Sequence, residues 1–339
     1  MFRTKDGEEI FIIDGHTHNW DGSPANQKNI HGAQFIDCFY AYHTALSPKE
    51  QVWPKEKFDK YGAEQMYQDL FVDGPDDMAI LQPTHLTEFY KNGFNTVEQN
   101  AVIKRQHPDR FILNGSFDPR DGEAGLDAME AMVAKHHVKG VKLYTAEWKG
   151  ESRGYKMSDP WAYKYLEKAQ SLGIKNIHIH KGPTITPLDR DAFDVADIDH
   201  CATDFQNLNF IVEHCGLPRL DDFCWIAVQE KNVYGGLAVA LPFIHSRPDY
   251  FANIISELLF WLGEDRLLYG SDYAIWTPRW LVEAFMAYEL PEQITKDKGV
   301  KLTLEAKKKI LGLNAAALYG IDVAAQSRKL HHRQRVAAE

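Results

Sequence analysis

The sequence is short of the features that mark secreted, membrane-spanning and nucleic-acid-binding proteins. It has four cysteines in 339 residues, Cys38, Cys201, Cys215 and Cys224, and none forms a CxxC pair. That excludes a zinc ribbon and leaves reduced, buried thiols of a cytoplasmic protein as the expectation. No apolar run is long enough to cross a bilayer, so no membrane partner is expected. The opening stretch, MFRTKDGEEIFIIDGHTH, scatters acids among its bases and runs straight into a histidine pair, unlike a secretory signal. Basic residues are in deficit, 38 against 48 acidic, for a formal net charge of −10. Such a surface repels phosphate backbones, which argues against a nucleic-acid partner.

What is present is the making of a large enzyme core. Hydrophobic residues are 44% of the chain and charged residues 25%. Short apolar runs recur at 9–18, 77–84, 111–118, 138–145, 175–181, 208–215, 233–238 and 266–272. Runs of this length suit strands buried on both faces. Helical spacing fills the intervals, for example at 96–106, 123–136, 160–172 and 249–262. Strand–helix alternation repeated this often predicts an α/β fold, a closed (β/α)₈ TIM barrel, with the seventh strand weakened by adjacent glycines. The chain exceeds the roughly 250 residues of a plain barrel. The surplus lies mainly at 19–76, between the first two strands, and is rich in aromatics. So long a gap should carry its own structure, partly helical over 51–71, and it leaves the barrel on the active-site face. It is expected to cover the site or to form a subunit contact. Two further helices are expected at 278–288 and 304–319. Residues 1–326 are read as one domain and 327–339, polar and basic, as a mobile tail.

The chemistry-bearing residues fall at strand ends. Side chains at i and i+2 share a strand face, so Asp14, His16 and His18 of DGHTH are expected to point together into the barrel. The pair of histidines lies at the C-terminal end of its strand, where barrel enzymes place their chemistry. An HxH alone is a weak signal. Here the fifth run ends in HIHKG, the sixth in EHCG and the eighth in GSD, which brings His180, His214 and Asp272 to the same rim. Ionisable groups in a barrel interior are costly unless paired or metal-bound, so packing alone is a poor account of them.

These motifs resemble the metal-dependent amidohydrolase superfamily, and within it the branch that holds aminocarboxymuconate-semialdehyde decarboxylase. The resemblance rests on Asp14, His16 and His18; on His180 with Gly182; on His214, Cys215 and Gly216; on Gly270, Ser271 and Asp272; and on a closing helix from Ile310 to Tyr319. It implies that His16, His18, His180 and Asp272 bind one divalent metal ion, with Zn²⁺ expected. It implies that His214 moves protons beside the bound water, and that Asp272 orients or accepts a proton from that water. His178, one layer deeper than His180, competes for the ligand role, with a hydrogen-bonded interior histidine as the plain alternative. Lys142 on the fourth strand stands where binuclear members carry a bridging lysine. The reading preferred for it is an interior amine that pairs with a carboxylate or contacts substrate.

Other rim candidates are Trp148, Arg219, Trp225, Tyr273 and Trp276. Arg219 could clamp a substrate carboxylate or sit in a surface salt bridge. Trp148 and Trp276 could line an apolar pocket or simply pack helices. Asp37 and His43 of the insertion are within conceivable reach. The resulting expectation is a metal-dependent hydrolase that turns metal-activated water on a small, partly apolar amide, ester or lactone, in a homo-oligomer. The first alternative is a non-oxidative decarboxylase of an unsaturated carboxylic acid. Many aromatic-acid decarboxylases of the branch carry ExH on strand one, where this chain has HxH. The second alternative is a metal-binding accessory protein without turnover.

Overall fold

The computed structural model describes residues 2–338, with side chains through residue 332. The apolar runs become eight parallel strands: β1 (Ile13–Thr17), β2 (Met78–Leu81), β3 (Phe111–Gly115), β4 (Gly140–Leu143), β5 (Asn176–His180), β6 (Asn209–Glu213), β7 (Val233–Gly236) and β8 (Leu267–Leu268). Each pairs with its successor in chain order, all in parallel. The ends meet where Gly15 N donates to Tyr269 O at 2.9 Å and His18 N to Tyr273 O at 2.7 Å. The result is a nearly closed (β/α)₈ barrel, as the alternation predicts. A two-stranded antiparallel pair, Phe2–Arg3 with Glu9–Ile10, precedes it. Among the described residues no helix is long and apolar enough to cross a membrane.

The helices start where local chemistry says they should. After the insertion helix α1 (Ile30–Leu46), α2 (Val97–Gln106) opens on Thr96, whose hydroxyl and the Gln99 side chain cap each other's backbone amides. α3 (Gly122–His136) follows β3, and α4 (Pro160–Ser171) begins on a proline, a residue that has no amide to leave orphaned. α5 (Ile198–Asp204), α6 (Leu220–Gln229), α7 (Pro248–Trp261) and α8 (Pro278–Ala287) complete the outer ring. The expected helix at 304–319 is two α segments, Leu304–Lys308 and Asn314–Tyr319, joined by a π turn. The Asn314 amide donates to the carbonyls of Glu264 and Leu267 at 2.8 Å each, which ties this segment to β8.

Two expectations need correction, for the cysteines and for Asp14. The stretch read as a mobile tail lies within helix α9 (Val323–Ala338), with Leu330 buried beneath the barrel beside Met78, Ile80 and Ile112. One apolar residue in a polar stretch is too little to show as a periodicity. The residues of that stretch numbered 333–339 have side chains outside those described. Cys215 lies in the turn after β6, not in the strand, and Cys38 is only half-buried, although all four thiols are free. Asp14 does not share the face of His16 and His18, because the register against β2 shifts between Asp14 and Thr17.

The insertion folds over the C-terminal rim of the barrel. Trp20 is its anchor, 1% exposed, ringed by Phe39, Phe58, Tyr61 and Phe94 at 5.2–5.7 Å between ring centroids. Its indole N–H donates to Phe58 O at 2.8 Å, so its polar atom is also satisfied. Trp20→Ala should therefore cost about 3–5 kcal/mol, the usual range for a buried tryptophan. Urea unfolding followed by circular dichroism measures it, and a loss under about 1 kcal/mol would show that the insertion is not anchored there.

Candidate metal centre

His16 and His18 present their Nε2 atoms to one carboxylate. The distances to Asp272 Oδ1 are 3.6 Å from His16 and 3.4 Å from His18. One donor atom from each of the three residues lies within 4.8 Å of the others, and all three are buried. Ligands held ~2.1 Å from a tetrahedral ion sit ~3.4 Å from each other, so these spacings fit a divalent metal. The donor chemistry fits as well, because two neutral imidazoles and a carboxylate suit a zinc-like ion. Burial pushes His16 down to about pH 3, which keeps it unprotonated near neutrality. Burial alone would raise Asp272; the imidazoles of His16, His18 and His214 around it prevail and hold it well below the usual carboxylate range. With His16 itself neutral, that support comes from ring dipoles and N–H groups more than from full ion pairs.

The other ring nitrogens are held from behind. His18 Nδ1 lies 2.6 Å from Gln82 O, which leaves Nε2 free as a ligand. His16 Nδ1 lies 2.9 Å from Glu213 Oε2, though off the ideal hydrogen-bond line. Glu213 is the last residue of β6, and its other oxygen lies 2.6 Å from His178 Nδ1. His178 Nε2 in turn lies 2.8 Å from the Tyr319 hydroxyl, at the far end of the barrel. Burial would raise Glu213, but His16 and His178 together hold it well below its ordinary value. Sequence reasoning missed Glu213, although the residue before a rim histidine at a strand end was a visible signal. It also explains the second glycine of β7: a Cβ on Gly236 would sit 2.2 Å from Glu213 Oε2. Asp14 supports from another side, accepting from the backbone amides of Ser271 (2.9 Å) and His16 (3.1 Å).

His180 and His214 stand beside this group. His214 Nε2 lies 2.9 Å from His180 Nδ1, and His214 Nδ1 lies 3.1 Å from Ala238 O and 4.0 Å from Asp272 Oδ2. His180 is outside the cluster of three and contacts Pro183 O at 3.3 Å, so the structure brings the expected four together as three plus a neighbour. Burial lowers both imidazoles. Gly182 makes room for the pair, since a Cβ there would lie 2.5 Å from the Cβ of His214. Lys142 points its amine to 3.3 Å from His16 Nε2, and burial lowers it to about 8. His178 faces Glu213 and Tyr319, the hydrogen-bonded interior histidine of the plainer expectation.

One cavity gathers most of these groups. It is lined by His16, His18, Lys142, His180, His214 and Asp272, with an apolar wall that includes Phe39 and Tyr42 of α1, Phe94, Tyr144, Ile275 and Trp276. The insertion therefore does reach the mouth of the barrel. Arg219 does not line the cavity; it pairs with Asp194 at 3.0 Å and Asp222 at 3.6 Å on the surface. Trp148 is also elsewhere, packed edge-on to His31 and Phe89 under Arg153. Trp225 is 62% exposed, and Tyr273 is buried behind the cavity with its hydroxyl on Asp69. Asp37 pairs with Lys55, while His43 is buried with Nδ1 2.6 Å from Ile275 O.

Residues 13–321 match the sequence pattern of the amidohydrolase family. The chain belongs to that family. Solved structures agree on the fold. The amidohydrolase chain is similar to an uncharacterised TIM-barrel protein from Bordetella bronchiseptica, with 17% identity, a TM-score of 0.69, and 94% of this chain and 99% of that one covered. It is also similar to a probable 2-pyrone-4,6-dicarboxylic acid hydrolase from Acinetobacter baumannii, with 14% identity, a TM-score of 0.55, and 92% and 100% covered. A third is 5-carboxyvanillate decarboxylase from Novosphingobium aromaticivorans with bound manganese, with 16% identity, a TM-score of 0.55, and 94% and 100% covered. No protein of curated function matches. Hydrolases and decarboxylases thus share the barrel, and the fold alone does not choose between them.

In this amidohydrolase, Glu213→Gln keeps shape but removes the charge behind His16. Metal affinity should fall by about 10–100-fold, as for other second-layer partners of ligating histidines. Competitive chelator titration reads it, and an unchanged affinity would show that Glu213 serves packing alone.

Proposed function

We propose that this amidohydrolase is a cytoplasmic, metal-dependent hydrolase of a small, partly apolar amide, ester or lactone. His16, His18, His180 and Asp272 would hold one divalent ion, Zn²⁺ by the borderline character of that donor set. The observation that carries the reading is the composition of the cavity: His214 stands beside Asp272, and Lys142 is the one lysine or arginine in an otherwise largely apolar lining. A substrate bearing several carboxylates would bring charges with a single cation to meet them, since Arg219 is occupied at the surface. The HxH of strand one also departs from the ExH of many aromatic-acid decarboxylases of the branch, though aminocarboxymuconate-semialdehyde decarboxylase shares HxH.

The ion, when bound, supplies Lewis acidity that polarises the substrate carbonyl and lowers the pKa of water. His214 does the proton work. Its Nδ1 is turned to the Ala238 carbonyl, so Nε2, which lies 2.9 Å from His180 Nδ1, is the basic atom and shares that contact with the His180 ring. Burial favours the neutral ring, ready to take a proton from water as the oxygen adds to the carbonyl carbon. The same proton then passes to the departing nitrogen or oxygen. Asp272 orients the water, and the Lys142 amine binds a polar oxygen of the substrate. Trp276, Phe39 and Tyr42 exclude bulk water, which strengthens each of these interactions.

A panel of lactones, amides and unsaturated carboxylic acids decides the class. Hydrolysis predicts acid release without CO₂; CO₂ evolution from the unsaturated acids would replace this reading with decarboxylation. On the substrate so found, His214→Ala should lower turnover by roughly 10²–10⁴-fold with metal content near normal. His180→Ala should instead lower metal occupancy, measured by elemental analysis. Metal-free His214→Ala protein would make His214 a ligand and overturn the assignment of roles.

A further inference from the structure

The N-terminal end of the barrel, opposite the metal centre, holds a cavity much roomier than the catalytic one. Its volume is about 520 Å³, against about 20 Å³ around the candidate metal ligands. Its wall carries five full positive charges, Lys104, Arg105, Lys135, Lys139 and Lys329, and one carboxylate, Asp109. In a chain with 38 basic and 48 acidic residues, that local excess runs against the whole. Its inner wall is apolar, with Met78, Ile112, Leu113 and the ring of Tyr319.

Helix dipoles account for part of this. Lys104 and Arg105 end α2, and Lys135 ends α3, where cations are favoured. Lys139 lies beyond α3, and Lys329 comes from α9, so the dipoles do not explain them. Some charges are also engaged already: Lys104 with the Pro108 and Phe111 carbonyls, Lys135 with Glu98, and Lys329 with Asp109. Arg105 and Lys139 have no ion-pair or hydrogen-bond partner for their side chains among the described residues. Gln326 donates to Asp109 O at 2.6 Å and so pins α9 as one wall of the cavity. Like charges collected around a hollow repel one another at a cost to stability.

We propose that this cavity binds a small organic anion with two or more negative charges on a partly apolar body, either a phosphate ester or a dicarboxylate. Its size lies within the range of small-molecule sites. The charges would meet Arg105 and Lys139, and the body would lie on Ile112 and Tyr319. This inference does not depend on the hydrolase reading.

The test is isothermal titration calorimetry of the full, metal-loaded protein with phenyl phosphate and, separately, benzene-1,3-dicarboxylate. It is run at fixed low ionic strength, where surface charges act most fully. At least one probe should bind, and the tighter of the two identifies the head group. The double variant Arg105→Gln/Lys139→Gln should weaken it by about tenfold or more, because it removes the two uncommitted charges. Both residues are solvent-exposed and far from the metal ligands, so the fold and the metal content should persist. Asp272→Asn should leave binding intact. Binding of neither probe, equal binding by the double variant, or loss of binding in Asp272→Asn would each overturn the proposal.

Discussion

Two carboxylates buried on opposite sides of one imidazole, His16, set the terms for everything near them at this end of the barrel. Asp272 and Glu213 are 4% and 2% exposed, and neither could stay ionised there without donors aimed at it. Asp272 has the rings of His16, His18 and His214; Glu213 has those of His16 and His178. His16 is common to both sets, with Nε2 on one carboxylate and Nδ1 on the other. Removing either acid therefore leaves His16 free to turn, and turning His16 breaks up the group that could hold an ion. The polar interior works as a unit, and pairwise deletions should be non-additive.

The backbone contributes to the same arrangement. His214, Cys215 and Asp272 all have positive φ, at 63°, 50° and 57°, in a region that non-glycine residues enter at a cost of about 1–3 kcal/mol each. Two of the three face the cavity. A regular strand would carry His214 and Asp272 past the rim with their side chains alternating inward and outward; the left-handed turn folds each back over the end of the barrel. Gly182 completes this by yielding the space that the His214 ring occupies. The strained positions coincide with proposed function, the pattern expected where geometry outranks local stability.

This also explains which parts were legible in the sequence. The barrel was legible because parallel strands buried on both faces read as continuous apolar runs. The rim residues were legible because HxH, HxG and GSD close those runs. Asp14 was misplaced, since i, i+2 reasoning assumes an unbroken pleat and the register shifts there. Glu213 was overlooked because a lone glutamate carries no motif, although its place before a rim histidine and Gly236 opposite it were both signals. Arg219 and Trp148 looked like rim residues by position in sequence, but loops of this length turn outward, and spacing alone does not fix that direction. The helix that includes the tail was not legible because its apolar contacts among the described residues, Leu330 and Val323, show no periodicity in the sequence.

The size of the catalytic cavity carries the argument one step further. About 20 Å³ is room for little more than one water centre, so a substrate with an apolar body needs a wall to give way. The strands cannot move without opening the sheet, and the histidines are tied from behind. The wall least committed to the barrel is α1, which brings Phe39 and Tyr42. Its core side packs Phe35 and Phe39 against Trp20 and Phe94, while its cavity side is tied to the rim by two side chains on loop carbonyls: Tyr42 on Thr184 at 3.0 Å and His43 on Ile275 at 2.6 Å. Each such bond contributes only about 0.5–1.5 kcal/mol net, within reach of substrate binding energy. On the proposed function, the long insertion after β1 would read the size and apolarity of the substrate, while the strand ends would fix the chemistry done to it.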